Sequence, residues 1–344
     1  MREPVASIAL IAPNWLGDAV MSLGALAELA EARVAVVAPS YVARVFRGVD
    51  GVDELVATRP LGRLGRVVER TRVLRALCPD AAVVLPPSFS AALIARLAGV
   101  SARVGLATDG RGALLTDARP DPGRGAHLGA TYRMLARATL TRLAVRAAAP
   151  GAPSPSMRVY EEDEREAAAL RRSLGVEADY AVVAPGAAYG PAKTWPAERF
   201  RELAASLARD VPVMLAGSAR DANTCAAIAA DQRGVFDASA RTSLGGFFAL
   251  LAGARVVVAN DSGAPHCAAA LGTPTVVVFG STAPEWTAPQ GEWVEVVRHP
   301  VPCSPCFRRF CPTQLECFAG VEVADVLARA RRGADAARRK ASRG

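Results

Sequence analysis

The chain has 344 residues, 51% of them apolar, and a formal net charge of +8. That length is too great for one ordinary core and fits two domains. No apolar run approaches the roughly 18 residues of a membrane span, and aromatics at 6% are too sparse for the interleaved basic and aromatic surface of a nucleic-acid binder.

The first residues, MREPVASIALIAP, carry an acidic side chain and only a short apolar stretch. They read as a leading strand over 7–12 and not as a signal peptide, so the expected location is the cytoplasm. The turn Pro13-Asn14-Trp15-Leu16-Gly17-Asp18 follows at once and opens a helix over about 18–30. Asp18 has two readings. It is a helix-start carboxylate that stabilises the N-terminus, or, with an acceptor hydroxyl in reach, a general base.

Apolar runs at 33–39, 53–58, 81–86 and 103–107 read as further strands, with helices fitting at about 41–47, 62–77, 90–98 and 127–142. This is a doubly wound α/β pattern. Residues 1–150 hold 19 Lys and Arg against 12 Asp and Glu, a surplus of seven, so the basic excess sits in this half. A solvating surplus and an acidic partner both fit it. Arg59, Arg63, Arg66 and Arg70 recur at helical spacing and would share one face, while Gly62 and Gly65 argue for a mobile loop in place of a stable helix.

The stretch RAAAPGAPSPSM (146–157) is the expected linker. The domains are therefore expected at 1–150 and 151–330, with a basic tail at 331–344. The second half repeats the α/β alternation without repeating the sequence. Its strands are expected at 180–185, 211–217, 255–259 and 275–280, and its helices at about 161–174, 197–209, 220–231, 243–252 and 264–271.

Three features of this half carry chemistry. The loop Ala184 to Pro196 follows a strand, exposes backbone at Gly186 and Gly190, and holds Lys193, one of only two lysines against 39 arginines. A compact ammonium there reads as a partner for a diphosphate, where a planar guanidinium would not fit, or as a solvated loop cation, and the loop is no Walker P-loop. The turn Asn260-Asp261-Ser262-Gly263 with His266 links a buried strand to an Ala-rich helix. A helix N-terminus with small residues holds phosphate well. His266 is either a phosphate donor or a structural side chain. Finally Cys303, Cys306, Cys311 and Cys317 are spaced C-x2-C-x4-C-x5-C. Thiolates so dense can hold zinc or an iron–sulfur centre, and unligated thiols are the alternative. Cys78, Cys225 and Cys267 lie among apolar residues and read as core.

PNWLGD, PGAAYGPAKTWPAERF and NDSGAPHCAAALGTPTVVVFGSTAPEWTAP, in that order over nearly the whole chain, resemble the glycosyltransferases that move heptose from ADP-heptose to lipopolysaccharide. The PNW-x-GD form and the late cysteines are most similar to the second heptosyltransferase of core assembly. The resemblance implies the GT-B architecture, two Rossmann-like domains facing across a cleft, with acceptor on the N-terminal domain and donor on the C-terminal one. It implies Asp18 as catalytic base and Lys193 on the donor phosphates. Gly186, Asp261, Ser262, Gly263 and His266 would surround those phosphates, and Thr242, Ser243 and Leu244 would line the adenine pocket. Arg59, Arg63 and Arg66 would meet an anionic acceptor, Hep-Kdo2-lipid A, at the cytoplasmic face of the inner membrane, with no cofactor needed for the chemistry. Pro265 stands where the family usually has Met, and Ala187 and Ala188 offer no hydroxyls. A first heptosyltransferase acting on Kdo2-lipid A, a sugar-nucleotide epimerase, and a non-enzymatic binder of nucleic acid or anionic glycan remain as alternatives.

Overall fold

The computed structural model describes residues 5–146, 155–177 and 179–341. Most of the expected linker, 147–154, lies outside the described residues, as do the last three of the expected tail. The chain divides into two compact units, Met1–Arg158 and Val159–Gly344.

The N-terminal unit is built on β1 (Ser7–Ile11), β2 (Arg33–Pro39), β3 (Glu54–Thr58), β4 (Ala81–Val84), β5 (Ala102–Leu106) and β6 (Asp117–Arg119). They form one parallel sheet in the order β3-β2-β1-β4-β5-β6. Its helices are α1 (Leu16–Met21), α2 (Leu23–Glu28), α3 (Ser40–Ala43), α4 (Arg63–Leu77), α5 (Phe89–Leu97) and α6 (Leu128–Arg142). The central strands read as unbroken Ala, Val, Ile and Leu because helices cover both faces. Ile8, Ala9 and Leu10 have no exposed surface. Burying a side chain such as Ile8 or Leu10 contributes about 1.5–3 kcal/mol.

The C-terminal unit uses β7 (Ala181–Ala184), β8 (Val213–Leu215), β9 (Val235–Asp237), β10 (Val257–Asn260), β11 (Thr275–Phe279) and β12 (Val294–Arg298). Its parallel order is β12-β11-β10-β7-β8-β9. The helices are α7 (Glu161–Ser173), α8 (Ala197–Leu207), α9 (Ala222–Ala229), α10 (Leu244–Ala252), α11 (Gly263–Ala270), α12 (Pro284–Thr287), α13 (Glu316–Ala319) and α14 (Val323–Ala341). Trp195 is fully buried and meets Phe200 edge-on at 5.0 Å, closing the start of α8 against the core.

The two sheets share one winding rule. In each, the first strand's neighbours run off in opposite directions, so the strand order reverses between β1 and β4 and again between β7 and β10. Ligands of open α/β sheets bind outside the carboxyl ends of the strands at that reversal. Both sheets are doubly wound, as expected from the sequence.

Three local expectations change. Residues 63–77 are a regular helix, not a loop. Arg70, Thr71 and Leu74 are buried on it, and such packing outweighs the roughly 1 kcal/mol that Gly65 costs a helix interior. The basic tail is largely the second half of α14. Cys78 is exposed and not core: it caps α4 in a left-handed conformation at φ 44°, and its thiol donates to the Arg75 carbonyl at 2.9 Å.

Candidate functional site

At the reversal of the C-terminal sheet, Asn260 ends β10 with its side chain fully buried. Its Oδ1 accepts from the Trp195 backbone N–H at 2.9 Å, and its Nδ2 donates to the Pro185 carbonyl at 2.6 Å. One carboxamide therefore ties both ends of the loop after β7 to the end of β10. Asp261 follows, with only 4% of its side chain exposed. Its Oδ2 accepts from the Thr282 hydroxyl at 2.6 Å and faces the Lys193 ammonium at 2.5 Å. Lys193 closes a 3-10 turn, Pro191–Lys193, and lies 5.7 Å from the centre of the Tyr189 ring. The structure thus joins Lys193 and Asp261, two of the residues singled out in the sequence.

Ser262 caps α11 with extended backbone and makes no side-chain cap bond. Asp261 directly precedes Ser262 and Gly263, so the Lys193–Asp261 pair adjoins the N-terminus of α11 in the chain. His266 is buried one turn further along α11. A fixed cation, a helix N-terminus and small residues together suit a diphosphate.

Two expected site residues are also held by contacts within the fold. A Cβ at Gly186 would overlap the Asp221 carboxylate, so packing accounts for that glycine. Ser243 caps α10, accepting from the Gly246 N–H at 3.1 Å. Its hydroxyl and amide also donate to the Glu166 carboxylate at 2.5 and 2.6 Å. Thr242 and Leu244 beside it are half-buried. Glu166 escaped the sequence analysis because an acidic residue in the run EEDERE of α7 gives no sign that it reaches another helix.

The cysteine segment lies against the Lys193 turn. The Phe307 N–H donates to the Ser281 carbonyl at 2.7 Å, and the Ala192 N–H to the Arg309 carbonyl at 3.2 Å. The Tyr189 hydroxyl donates to the Phe307 carbonyl at 2.9 Å. Gly190, at φ 154°, sits so close that a Cβ would stand 2.7 Å from the Arg309 carbonyl oxygen.

A metal centre finds no fit here. Among the described residues, no group of three or more His, Cys, Asp or Glu is placed to hold a metal ion. Cys303 is exposed, Cys306 and Cys311 are half-buried, and Cys317 points into the core. Cys311 keeps Thr313 Oγ1 at 3.3 Å, and hydrogen bonds from Thr313 hold its thiol below the ordinary range. Burial pushes the Cys317 thiol up to about 11, and negative charge on Cys311, Cys303 and Cys306 adds to the effect. The zinc or iron–sulfur expectation is therefore not met.

In the N-terminal unit, Asp18 is the third residue of α1, just after β1, and is half-buried. Trp15, not Asp18, is the N-cap, and it makes no side-chain cap bond. Tyr132 of α6 is buried, and its phenol is pushed well above its ordinary range by burial and then by the Asp18 charge. The Asp18 charge thus acts on a phenol more than a hundred residues away along the chain, a relation invisible in sequence.

The same unit holds a cavity of about 210 Å³ outside the ends of β1 and β4. Arg63, Arg66 and Arg70 of α4, Asn14 of the PNWLGD turn, and Ser88 and Ser90 at the start of α5 all line it. Asn14 Oδ1 is buried there without a hydrogen-bond partner. Arg70 donates to the Thr58 hydroxyl at 3.2 Å. Arg59 does not line this cavity and instead pairs with Glu69 at 3.0 Å. Beneath the floor, Arg111 is fully buried. It donates to the carbonyls of Leu106 at 2.8 Å, Ser88 at 3.2 Å and Pro86. Burial lowers its pKa to about 10. No motif marks Arg111, which sits in the turn-rich stretch TDGRGALL.

Residues 69–316 match the sequence profile of glycosyltransferase family 9 (heptosyltransferase). The chain belongs to glycosyltransferase family 9. Over 309 residues it is 32% identical to lipopolysaccharide heptosyltransferase 2 of Salmonella typhimurium, covering 85% of this chain and 87% of that one. The structure of E. coli ADP-heptose lps heptosyltransferase II matches at a TM-score of 0.79 and 27% identity, over 95% of this chain and 98% of that one. A family 9 glycosyl transferase from Veillonella parvula shares the fold at a TM-score of 0.81 and 19% identity, over 97% and 98% of the two chains. As a family 9 glycosyltransferase the chain is an enzyme, and the epimerase and binding-protein readings fall away. The family profile spans Lys193, Asp261 and His266 but begins beyond Asp18 and Arg66.

Proposed function

We propose that this family 9 enzyme transfers heptose from ADP-L-glycero-D-manno-heptose to the inner-core heptose of Hep-Kdo2-lipid A, inverting the anomeric centre. The observation that carries the donor half is the Lys193–Asp261 pair at the start of α11. The acceptor rests on likeness to lipopolysaccharide heptosyltransferase 2 over most of both chains.

In this reading Asp18 takes the proton from the acceptor hydroxyl as its oxygen bonds to the anomeric carbon. The bond from that carbon to the β-phosphate oxygen breaks, and ADP leaves with the electron pair. Lys193 and the Ser262 and Gly263 amides stabilise the charge growing on ADP, with His266 as a further donor. Asp261 holds Lys193 in place, and Gly186 lets the loop pack. Thr242 and Leu244 line the adenine pocket, which Ser243 shapes through its bonds to Glu166. A fixed ammonium and a helix terminus take the role that a divalent ion fills in other transferases, so the reaction needs no cofactor.

On the acceptor side, Arg63 and Arg66 receive acidic groups in the arginine-lined cavity, and Arg59, paired with Glu69 outside it, is a further cation for the acceptor. An acceptor anchored in lipid implies peripheral contact with the cytoplasmic face of the inner membrane. Among the described residues, no helix is long and apolar enough to cross a membrane.

ADP release with each of two acceptors tests the reading. Turnover is expected with Hep-Kdo2-lipid A and not with Kdo2-lipid A. The reverse preference would make this a first heptosyltransferase, and turnover with neither would overturn the proposal.

A further inference from the structure

Because the N-terminal sheet is parallel, the carboxyl ends of β1 to β4 share one edge. Large apolar side chains stand exposed along it. Trp15 follows β1 and is 55% exposed, and Tyr41 follows β2 at 53%. Leu64, 83% exposed, begins α4 after β3, and Phe89, 47% exposed, begins α5 after β4. These four come from four separate connections, so no single unusual loop explains them. Single exposed apolar residues are ordinary, but a contiguous apolar rim marks an interaction surface.

The arginine cavity opens on this same edge. Leu64 lines it, as do Asn14 beside Trp15 and Ser88 and Ser90 on either side of Phe89. Tyr41 stands two residues past Pro39, which pairs with Thr58, and Arg70 in the cavity wall donates to the Thr58 hydroxyl. Glu69 balances Arg59, but Arg63 and Arg66 make no ion pair among the described residues. Cationic side chains on one edge with Trp, Tyr, Leu and Phe are the composition of a membrane-interface surface, where aromatic rings settle at headgroup depth and arginines meet anionic headgroups.

We propose that the rim of Trp15, Tyr41, Leu64 and Phe89, with Arg63 and Arg66 on the same edge, docks on the surface of an anionic phospholipid bilayer. The cavity would then open directly onto the headgroup layer, and the acceptor would enter without leaving the membrane. The proposal deepens the acceptor reading above and rests on it for that last step.

The test is co-sedimentation of the full chain with vesicles of phosphatidylcholine alone or mixed with phosphatidylglycerol. Binding is expected to the mixed vesicles only, and to weaken with salt. Tyr41→Glu with Phe89→Glu should lower that binding roughly tenfold or more, because each puts a charge at the apolar interface. The milder pair Tyr41→Ser with Phe89→Ser, checked by an unchanged Tm, guards against a folding defect. Both pairs should keep wild-type turnover on a deacylated, water-soluble acceptor. Equal binding to both vesicle types, no binding to either, or full binding by the variants would overturn the surface. Loss of all turnover with vesicle binding intact would instead overturn the acceptor reading and leave the surface standing.

Discussion

Lys193 and Asp261 meet at 2.5 Å with 15% and 4% of their side chains exposed, although 68 residues separate them. The pair puts a cation at the start of α11 and keeps it from swinging away. Removing one member of a buried pair costs about 3–5 kcal/mol because the other charge is left uncompensated. Asp261→Ala should therefore lower thermal stability markedly and weaken ADP binding. Lys193→Gln should fold better than Asp261→Ala, since it leaves a carboxylate still bonded to Thr282. It should weaken ADP binding by roughly 10- to 100-fold, the worth of a charged hydrogen bond. Calorimetric ADP titration and thermal melts check both.

Asp18 does not cap α1, and its charge acts on a buried phenol. Asp18→Asn keeps the shape and removes the base. Turnover should fall by roughly 10²- to 10⁴-fold, while the ADP dissociation constant stays within about twofold. A kcat near wild type would return Asp18 to the role of a helix-start charge.

Arg111 holds three carbonyls from the ends of β4 and β5 with a fully buried guanidinium. Two of them, on Pro86 and Ser88, belong to residues lining the arginine cavity. Arg111→Lys should not rescue the site, because a single ammonium cannot reach carbonyls that need a planar fork. The expected result for Arg111→Lys is a raised acceptor KM with ADP affinity unchanged. Equal losses in both would mark a general folding defect.

Five of the seven thiols should separate into two classes by reactivity. Cys303 is exposed, and Cys311 has a lowered pKa, so both should label first at neutral pH. Burial pushes Cys225 up to about 12 and Cys317 to about 11, and raises Cys267 further. These three should stay unlabelled until the chain unfolds, as read by mass spectrometry of labelled peptides. The linkage has a definite sign. Above the ordinary thiol pKa of 9, the unfolded chain loses protons that the folded chain keeps. These groups therefore stabilise the fold fully below pH 9 and progressively less toward pH 11.

The strongest strands were legible because both faces of a parallel sheet are buried, which makes VVVA and TVVVF unbroken apolar runs. The three strands that sequence reasoning missed are edge or near-edge elements. DAR of β6 and VFD of β9 are only three residues long, and VEVVR of β12 is half-exposed. At the site, Lys193 and Asp261 announced themselves by rarity and by motif, but their pairing did not. Glu166, Tyr132 and Arg111 remained hidden, as did the bonds of Asn260, because each acts through a partner far along the chain. Polar side chains of this kind carry no periodicity; only the folded backbone identifies what they hold.

Gly190 lies directly beneath the backbone of Arg309, so the loop carrying Lys193 and the cysteine-bearing segment have matched surfaces with no room for a methyl group between them. The two behave as one exchangeable part. A chimera that imports the Lys193 loop from a relative should bind donor only when residues 303–311 are imported with it, and neither half can be lengthened or retailored alone.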